Sequence, residues 1–141
     1  MNMPFIRFFW ALCIFSLVAC SPLSPKAEYI PDNAVLPNAT IGKPYFFKIF
    51  ILGGAVIGGK QIRAGFVHPD DSGISLRNCK LPASVITADT VDTNDHNCVE
   101  IYGTPTKAGV IKINIGGGMY GDMLAPASNF SKDYTLNVDA S

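Results

Sequence analysis

Apolar and polar residues alternate in short runs along this chain, and that period of two predicts β-strands with one buried face. In the clearest run, Ile111, Ile113 and Ile115 fall on one face, with Lys112 and Asn114 on the other. We expect the isoleucine face to lie in a core and the polar face to meet solvent.

A second run, Val99–Tyr102, precedes this one and is separated from it by a turn containing Gly103, Pro105 and Gly109. The two glycines can adopt positive φ without a Cβ penalty, and Pro105 cannot donate to a strand ladder. The turn therefore predicts a chain that crosses within a sandwich instead of forming a tight hairpin.

The other predicted strands are short and recur about every ten residues. They are an edge strand within 28–36, a central strand over 46–52, and strands over 61–68, 74–76, 81–87 and 134–138. In the strand over 61–68 we expect Ile62, Ala64 and Phe66 to face the core. We expect Gly116–Gly118 to end the strand that contains Ile111, Ile113 and Ile115. About seven strands and no helical period predict an all-β sandwich.

The N-terminal segment predicts an export signal. Met1–Ala19 has Arg7 as its only charge and an apolar run shorter than the roughly 20 residues of a spanning helix. The last four residues, Leu17–Cys20, resemble the lipobox of bacterial lipoproteins. The resemblance implies cleavage before Cys20, acylation of that cysteine and, with Ser21 after it, an outer-membrane location, on the periplasmic side or the cell surface. An ordinary signal peptide that contains a cysteine is the alternative.

Cleavage would leave a tether over 20–27 and one domain over 28–141, because about 120 residues suffice for one domain only. The whole chain carries 11 Lys and Arg against 11 Asp and Glu, with no basic stripe, which argues against nucleic acid as a partner. Cys79 and Cys98 would be the only thiols left, and in an oxidising periplasm we expect a disulfide between them. The only tryptophan, Trp10, would leave with the signal.

A wider resemblance covers most of the predicted domain. The chain resembles the immunoglobulin-like domains of bacterial exported proteins, which are in turn similar to cadherin-like sandwiches, in the following segments: Ile41–Tyr45, Gly53–Gly54, Leu81–Ala83, Ile101–Gly109 and Tyr134–Val138. This resemblance implies an immunoglobulin-like sandwich used for adhesion or spacing, with no catalytic residues to carry over. The cysteine pair is not part of the family pattern.

Motifs for nucleotides and for catalysis are incomplete. Gly54–Gln61 follows the phosphate-binding loop pattern except that Gln61 replaces the Ser or Thr that would hold magnesium. Gly116, Gly118 and Gly121 spell a dinucleotide fingerprint with no helix after it. The only histidines, His68 and His96, have no serine and carboxylate partners at a spacing typical of a catalytic triad. We therefore predict no nucleotide, no cofactor and no enzymatic activity.

Two clusters have a binding and a structural interpretation. Asp89, Asp92 and Asp95 offer oxygen ligands for calcium, but they lack the spacing of a known calcium loop, so a solvated loop is the alternative. Four large side chains could form an exposed apolar binding patch or complete the core: Tyr102, Met119, Tyr120 and Phe130.

These observations predict a non-catalytic lipoprotein, held to the membrane through Cys20, that acts as a binding or structural module of the bacterial cell envelope. Its partner would be an envelope protein or a glycan. One alternative is an accessory outer-membrane subunit of a secretion or pilus assembly. Another alternative, a small-molecule or calcium-dependent enzyme, would need an ordered metal or a deep polar pocket near Asp92 and His96.

Overall fold

The computed structural model describes residues 24–58, 63–86 and 96–141. Within these ranges eight strands form two four-stranded sheets that pack face to face, so the predicted all-β sandwich is confirmed. Sheet A has the strand order β1-β3-β6-β5, and sheet B has the order β2-β8-β7-β4. The strands are β1 (Glu28–Ile30), β2 (Ala39–Thr40), β3 (Tyr45–Leu52), β4 (Gly65–His68), β5 (Ile74–Cys79), β6 (Cys98–Gly103), β7 (Gly109–Met119) and β8 (Ser128–Asp139).

The turn between β6 and β7 carries the chain from sheet A to sheet B, as its composition predicts. Gly103 and Gly109 both have positive φ, at 126° and 130°. A Cβ on Gly103 would overlap the carbonyl oxygen of Gly73 in the neighbouring turn. Glycine at position 103 therefore lets the two turns pack together at this end of the sandwich.

The core lies between the sheets and is built from alternate residues of the long strands. From sheet A it receives Ile49, Ile51, Val99 and Ile101; from sheet B it receives Ile111, Ile113, Ile115, Tyr134, Leu136 and Val138. All of these side chains are at most 5% exposed. Burial of each large aliphatic side chain contributes about 1.5–3 kcal/mol, so this double layer is the main source of stability.

A buried asparagine, Asn97, ties the connections together at the opposite end, where β3 ends and β6 begins. Its side-chain Oδ1 accepts a hydrogen bond from the backbone N–H of Val56 at 2.9 Å. Its Nδ2 donates to the carbonyl oxygens of Ile51 and Gly54, each at 2.6 Å. One side chain therefore satisfies three backbone groups, one near the end of β3 and two in the segment that leaves it.

The segment 54–57 is in turn attached to sheet B. The backbone N–H of Ile57 donates to the carbonyl of Gly118 at 2.8 Å, and that of Tyr120 donates to the carbonyl of Ala55 at 2.9 Å. Asn97 thus joins a connection of sheet A to the last residues of β7. We call this end of the sandwich, with the segment 54–57 and the β7–β8 loop, the Asn97 end.

The prediction for Phe66 is wrong: its side chain points outward and is 64% exposed. The strand β4 begins only after Ala64, and its register places Val67 opposite the buried Ile113. Val67 therefore faces the core and Phe66 faces solvent. Ala64 does pack against the core, because the alternation does not continue across the start of the strand. Ile62 lies outside the described residues.

The predicted strand over 81–87 is also wrong within the residues described. Ala83–Val85 forms a single turn of 3₁₀-helix, in which the N–H of Val85 donates to the carbonyl of Pro82 at 3.1 Å. Pro82 has no N–H for a ladder and has its φ fixed, which favours a turn over a strand. Leu81 still contributes a buried side chain.

Gly116–Gly118 do not end β7, contrary to the prediction from sequence. All three residues pair with β8, and the strand continues to Met119. A Cβ on Gly117 would lie 3.2 Å from the ring of Phe130. The missing side chains make room for Phe130 against the sheet and do not interrupt the ladder.

The N-terminal edge strand is shorter than predicted. Of residues 28–36, only Glu28–Ile30 form a strand, and Val35 adds an isolated bridge to Thr135 on the other sheet. The chain changes sheets between these points. The central strand is confirmed, since β3 lies between β1 and β6.

We predict that Asn97→Ala lowers the free energy of unfolding by about 3 kcal/mol, because three backbone hydrogen bonds are lost inside the protein. Urea denaturation measures the change. Asn137→Ala, on the outer face of β8, is the matched control and should change stability by less than about 0.5 kcal/mol. Equal effects of the two substitutions would contradict the role given to Asn97.

Stability should also fall at alkaline pH. Burial raises the pKa of Tyr134 to about 12, and its hydroxyl donates to the carbonyl of Pro31 at 2.7 Å. An unfolded tyrosine ionises near pH 10, so the unfolded chain loses its proton first as pH rises. The stabilising effect of burial is thus complete below about pH 10 and is lost between about pH 10 and 12. In Tyr134→Phe the free energy of unfolding should decline less steeply over this interval; an unchanged slope would refute the assignment.

Candidate binding surface

The structure addresses only some of the predicted site residues. Cys79 and Cys98 lie directly opposite each other on β5 and β6 and form a disulfide, with their Cα atoms 4.9 Å apart, so this prediction is confirmed. The residues predicted for lipidation and for calcium lie outside the described ranges: Cys20, Asp89, Asp92 and Asp95.

Within the described ranges, no three His, Cys, Asp or Glu side chains lie close enough together to hold a metal ion. His68 ends β4 and His96 precedes β6, which places the two histidines at opposite ends of the sandwich. None of the helical turns described is long and apolar enough to span a bilayer. Residues 54–58 of the phosphate-loop-like segment form a connection packed on β7, with Val56 buried.

The outward side of sheet A carries a row of aromatic and charged side chains, and we call it the outer A face. Its strands are in register, so its side chains form three rungs across β3, β6 and β5. The rungs are Phe50 with the Cys98–Cys79 disulfide, then Lys48 with Glu100 and Arg77, then Phe46 with Tyr102 and Ser75. An ionic rung thus lies between two apolar ones.

Glu100 is the centre of this face. It accepts a hydrogen bond from Arg77 Nε, and its side chain is only 8% exposed although it projects from the outer side of the sheet. Arg77, half-exposed, also lies over the ring of Tyr102, 4.0 Å from the ring centroid. The arginine therefore shields the carboxylate and the aromatic ring together, which fixes the side chains of the ionic rung.

Apolar side chains remain exposed around that centre. Phe46 is 58% exposed, and Lys48 Nζ lies 5.7 Å from its ring centroid. Ile30, across from Phe50 on the edge strand β1, is 44% exposed. The outer A face thus combines flat aromatic surface with ordered charged groups, a composition suited to binding a protein or a sugar.

Away from its edge strand β4, where Phe66 is exposed, the outer side of sheet B differs in chemistry. Its polar side chains bond to one another: Lys112 Nζ donates to the hydroxyl of Thr135 at 3.0 Å, and Asn114 Nδ2 donates to Ser131 and Asp133 at 2.8 and 2.7 Å. Such a ladder satisfies its own hydrogen-bonding groups. The outer A face places an ordered ion pair among its aromatic side chains, and it is the better candidate for recognition.

The apolar patch expected from Tyr102, Met119, Tyr120 and Phe130 does not form. Met119 is fully buried and Phe130 packs against the core. Tyr102 belongs to the outer A face, and Tyr120 lies 55% exposed in the β7–β8 loop. The structural interpretation holds for two of the four residues, and the other two belong to separate surfaces.

We call the end of the sandwich where β6 crosses to β7 the far end. An ion pair there is unrelated to the outer A face. Lys107 Nζ donates to Asp71 at 2.8 Å; this bond lowers the pKa of Asp71 and raises that of Lys107. Both side chains are largely exposed, so solvent screens their attraction. The pair links two neighbouring turns.

Comparison of the chain with protein-family models, with curated proteins and with solved structures finds no match.

We predict that Arg77 and Glu100 are energetically coupled. Arg77→Met leaves the shielded carboxylate without its arginine partner and should destabilise the protein by about 1–2 kcal/mol, a range reduced by the exposure of Arg77. In a cycle with Glu100→Gln, the coupling energy from urea denaturation should be about 1 kcal/mol. Additive effects of the two substitutions would show that the ionic rung has no ordered pair.

Proposed function

We propose that this chain is a non-catalytic, lipid-anchored module of the bacterial cell envelope that holds the outer A face beside a neighbouring envelope component. The proposal joins the lipobox-like segment ending at Cys20 with the all-β sandwich that follows it. The anchor would supply the location, and the sandwich a rigid surface.

The proposal depends on the position at which the N-terminal segment, at Pro25, meets the sandwich. The hydroxyl of Ser128, the first residue of β8, donates to the carbonyl of Pro25 at 2.5 Å. Pro25 also packs so closely on Gly54 that a Cβ there would lie 2.9 Å from the proline side chain. Cys20 is only five residues before Pro25. An anchor at Cys20 would therefore hold the Asn97 end of the sandwich toward the membrane.

This attachment would also orient the outer A face. The strands of sheet A run between the Asn97 end and the far end. In an anchored sandwich the strands would point away from the membrane, and the outer faces of the sheets would be directed parallel to the membrane plane. Phe46 and the ionic rung of Glu100 would then be available to a neighbour anchored in, or lying along, the same membrane.

The lipid anchor is tested by metabolic labelling with a clickable fatty acid. The wild-type chain should incorporate the label, and Cys20→Ser should abolish incorporation because the acylated thiol and the processing site are lost. Cys13→Ser, which removes the other cysteine of the signal segment, is the matched control and should leave labelling unchanged. Label that persists in Cys20→Ser would contradict the anchor.

The binding face is tested by site-specific photo-crosslinking in cells. A benzoylphenylalanine at position 46 of the outer A face should give an adduct, whereas the same group at Val110, on sheet B and 54% exposed, should not. A protein adduct or a muramidase-sensitive adduct identifies the class of partner. Co-purification of several envelope proteins would favour the accessory-subunit alternative, and equal adducts at both positions would refute the face.

A further inference from the structure

The β7–β8 loop at the Asn97 end carries two large apolar side chains in full contact with solvent. Met123 is 101% exposed and Leu124 is 84% exposed, the highest values among the exposed large hydrophobic residues described. They are adjacent in sequence, in the middle of the loop between Met119 and Ser128. We call Met123 and Leu124, with Tyr120 at the base, the apolar tip.

The loop beneath the apolar tip is ordered by its own hydrogen bonds. Asp122 Oδ1 accepts from the backbone N–H groups of Leu124 and Ala125, at 2.7 and 2.8 Å, and the N–H of Asp122 donates to the carbonyl of Ala125 at 2.9 Å. A Cβ on Gly121 would overlap the carbonyl of Ala125. The turn buries Ala125 and directs the two residues before it outward.

The apolar tip lies beside the point where the N-terminal segment leaves the sandwich. Pro25, Gly54, Tyr120 and Asp122 line one shallow depression at the Asn97 end. Five residues separate Pro25 from Cys20, a span of at most about 17 Å when extended. Acyl chains on Cys20 would therefore keep the tip close to the surface of the leaflet that holds them.

We propose that the apolar tip inserts Met123 and Leu124 into that leaflet, so that the sandwich contacts the membrane at two points. This inference rests on the proposed lipid anchor. The exposed side chains gain by leaving water, and Tyr120, with an apolar ring and a polar hydroxyl, suits the depth of the headgroups. The one carboxylate of the turn, on Asp122, already accepts two backbone hydrogen bonds. Two contacts would fix the tilt of the domain, which attachment at one point does not.

Tryptophan fluorescence tests the insertion in the full lipidated chain, because Trp10 is its only natural tryptophan. All variants carry Trp10→Phe, so that uncleaved precursor does not emit. Leu124→Trp and, separately, Met123→Trp report on the tip; Val110→Trp, at the other end of β7, is the control. Each variant is reconstituted into phosphatidylethanolamine–phosphatidylglycerol vesicles with or without brominated acyl chains.

Brominated lipid should quench the 124 and 123 variants about threefold more strongly than the 110 variant. Flotation of the same vesicles separates the two proposals. If the protein floats with the vesicles but quenching at 123 and 124 does not exceed that at 110, the anchor stands and the insertion is overturned. If the protein does not float, the anchor and the insertion both fail.

Discussion

The hydrogen bonds of Asn97 are the constraint on which the rest of this structure depends. Each sheet of a sandwich can form from its own alternating strands, but the connections at the ends leave backbone groups that no strand partner satisfies. At the Asn97 end one amide satisfies three of them. Because the segment 54–57 is then attached to β7, the two sheets are joined by more than the packing of their apolar faces.

Both functional proposals depend on this closed end. The N-terminal segment packs on Gly54 and the β7–β8 loop bonds to Ala55, so the tether and the apolar tip share the support that Asn97 holds. The disulfide lies at the same end, with Cys98 next to Asn97 in sequence, and it closes the connection that leads to β6. Pro25, the β7–β8 loop and the disulfide therefore all lie at the Asn97 end.

The local parts of this account could be predicted from the sequence. The isoleucines of β7 and the apolar residues of β8 alternate clearly, and the glycines and proline at 103–109 predict the crossing between the sheets. The disulfide is predicted by a count of the cysteines together with the expected export of the chain. Each of these depends on neighbours in the chain or on composition, without reference to a distant strand.

The remaining features depend on contacts between distant residues. Asn97 reads as the end of a polar loop, because nothing near it shows that its amide bonds to residues more than 40 positions earlier. Glu100 alternates like a solvent-facing residue, but it is buried between Lys48 on β3 and Arg77 on β5. The predictions for Phe66 and for the glycines of β7 are wrong for the same reason. The register of β4 and the space that Phe130 needs are both set by strand pairing, which the local sequence does not show.

Amide hydrogen exchange at Val56 tests the central claim most directly. Val56 lies outside the eight strands, so its N–H would exchange quickly in an ordinary surface connection. If Asn97 closes this end of the sandwich, the Val56 amide should exchange at a rate within about tenfold of the Leu136 amide in β8. Exchange at Val56 that is about a hundredfold faster or more would show that this end opens by itself, and would contradict the account.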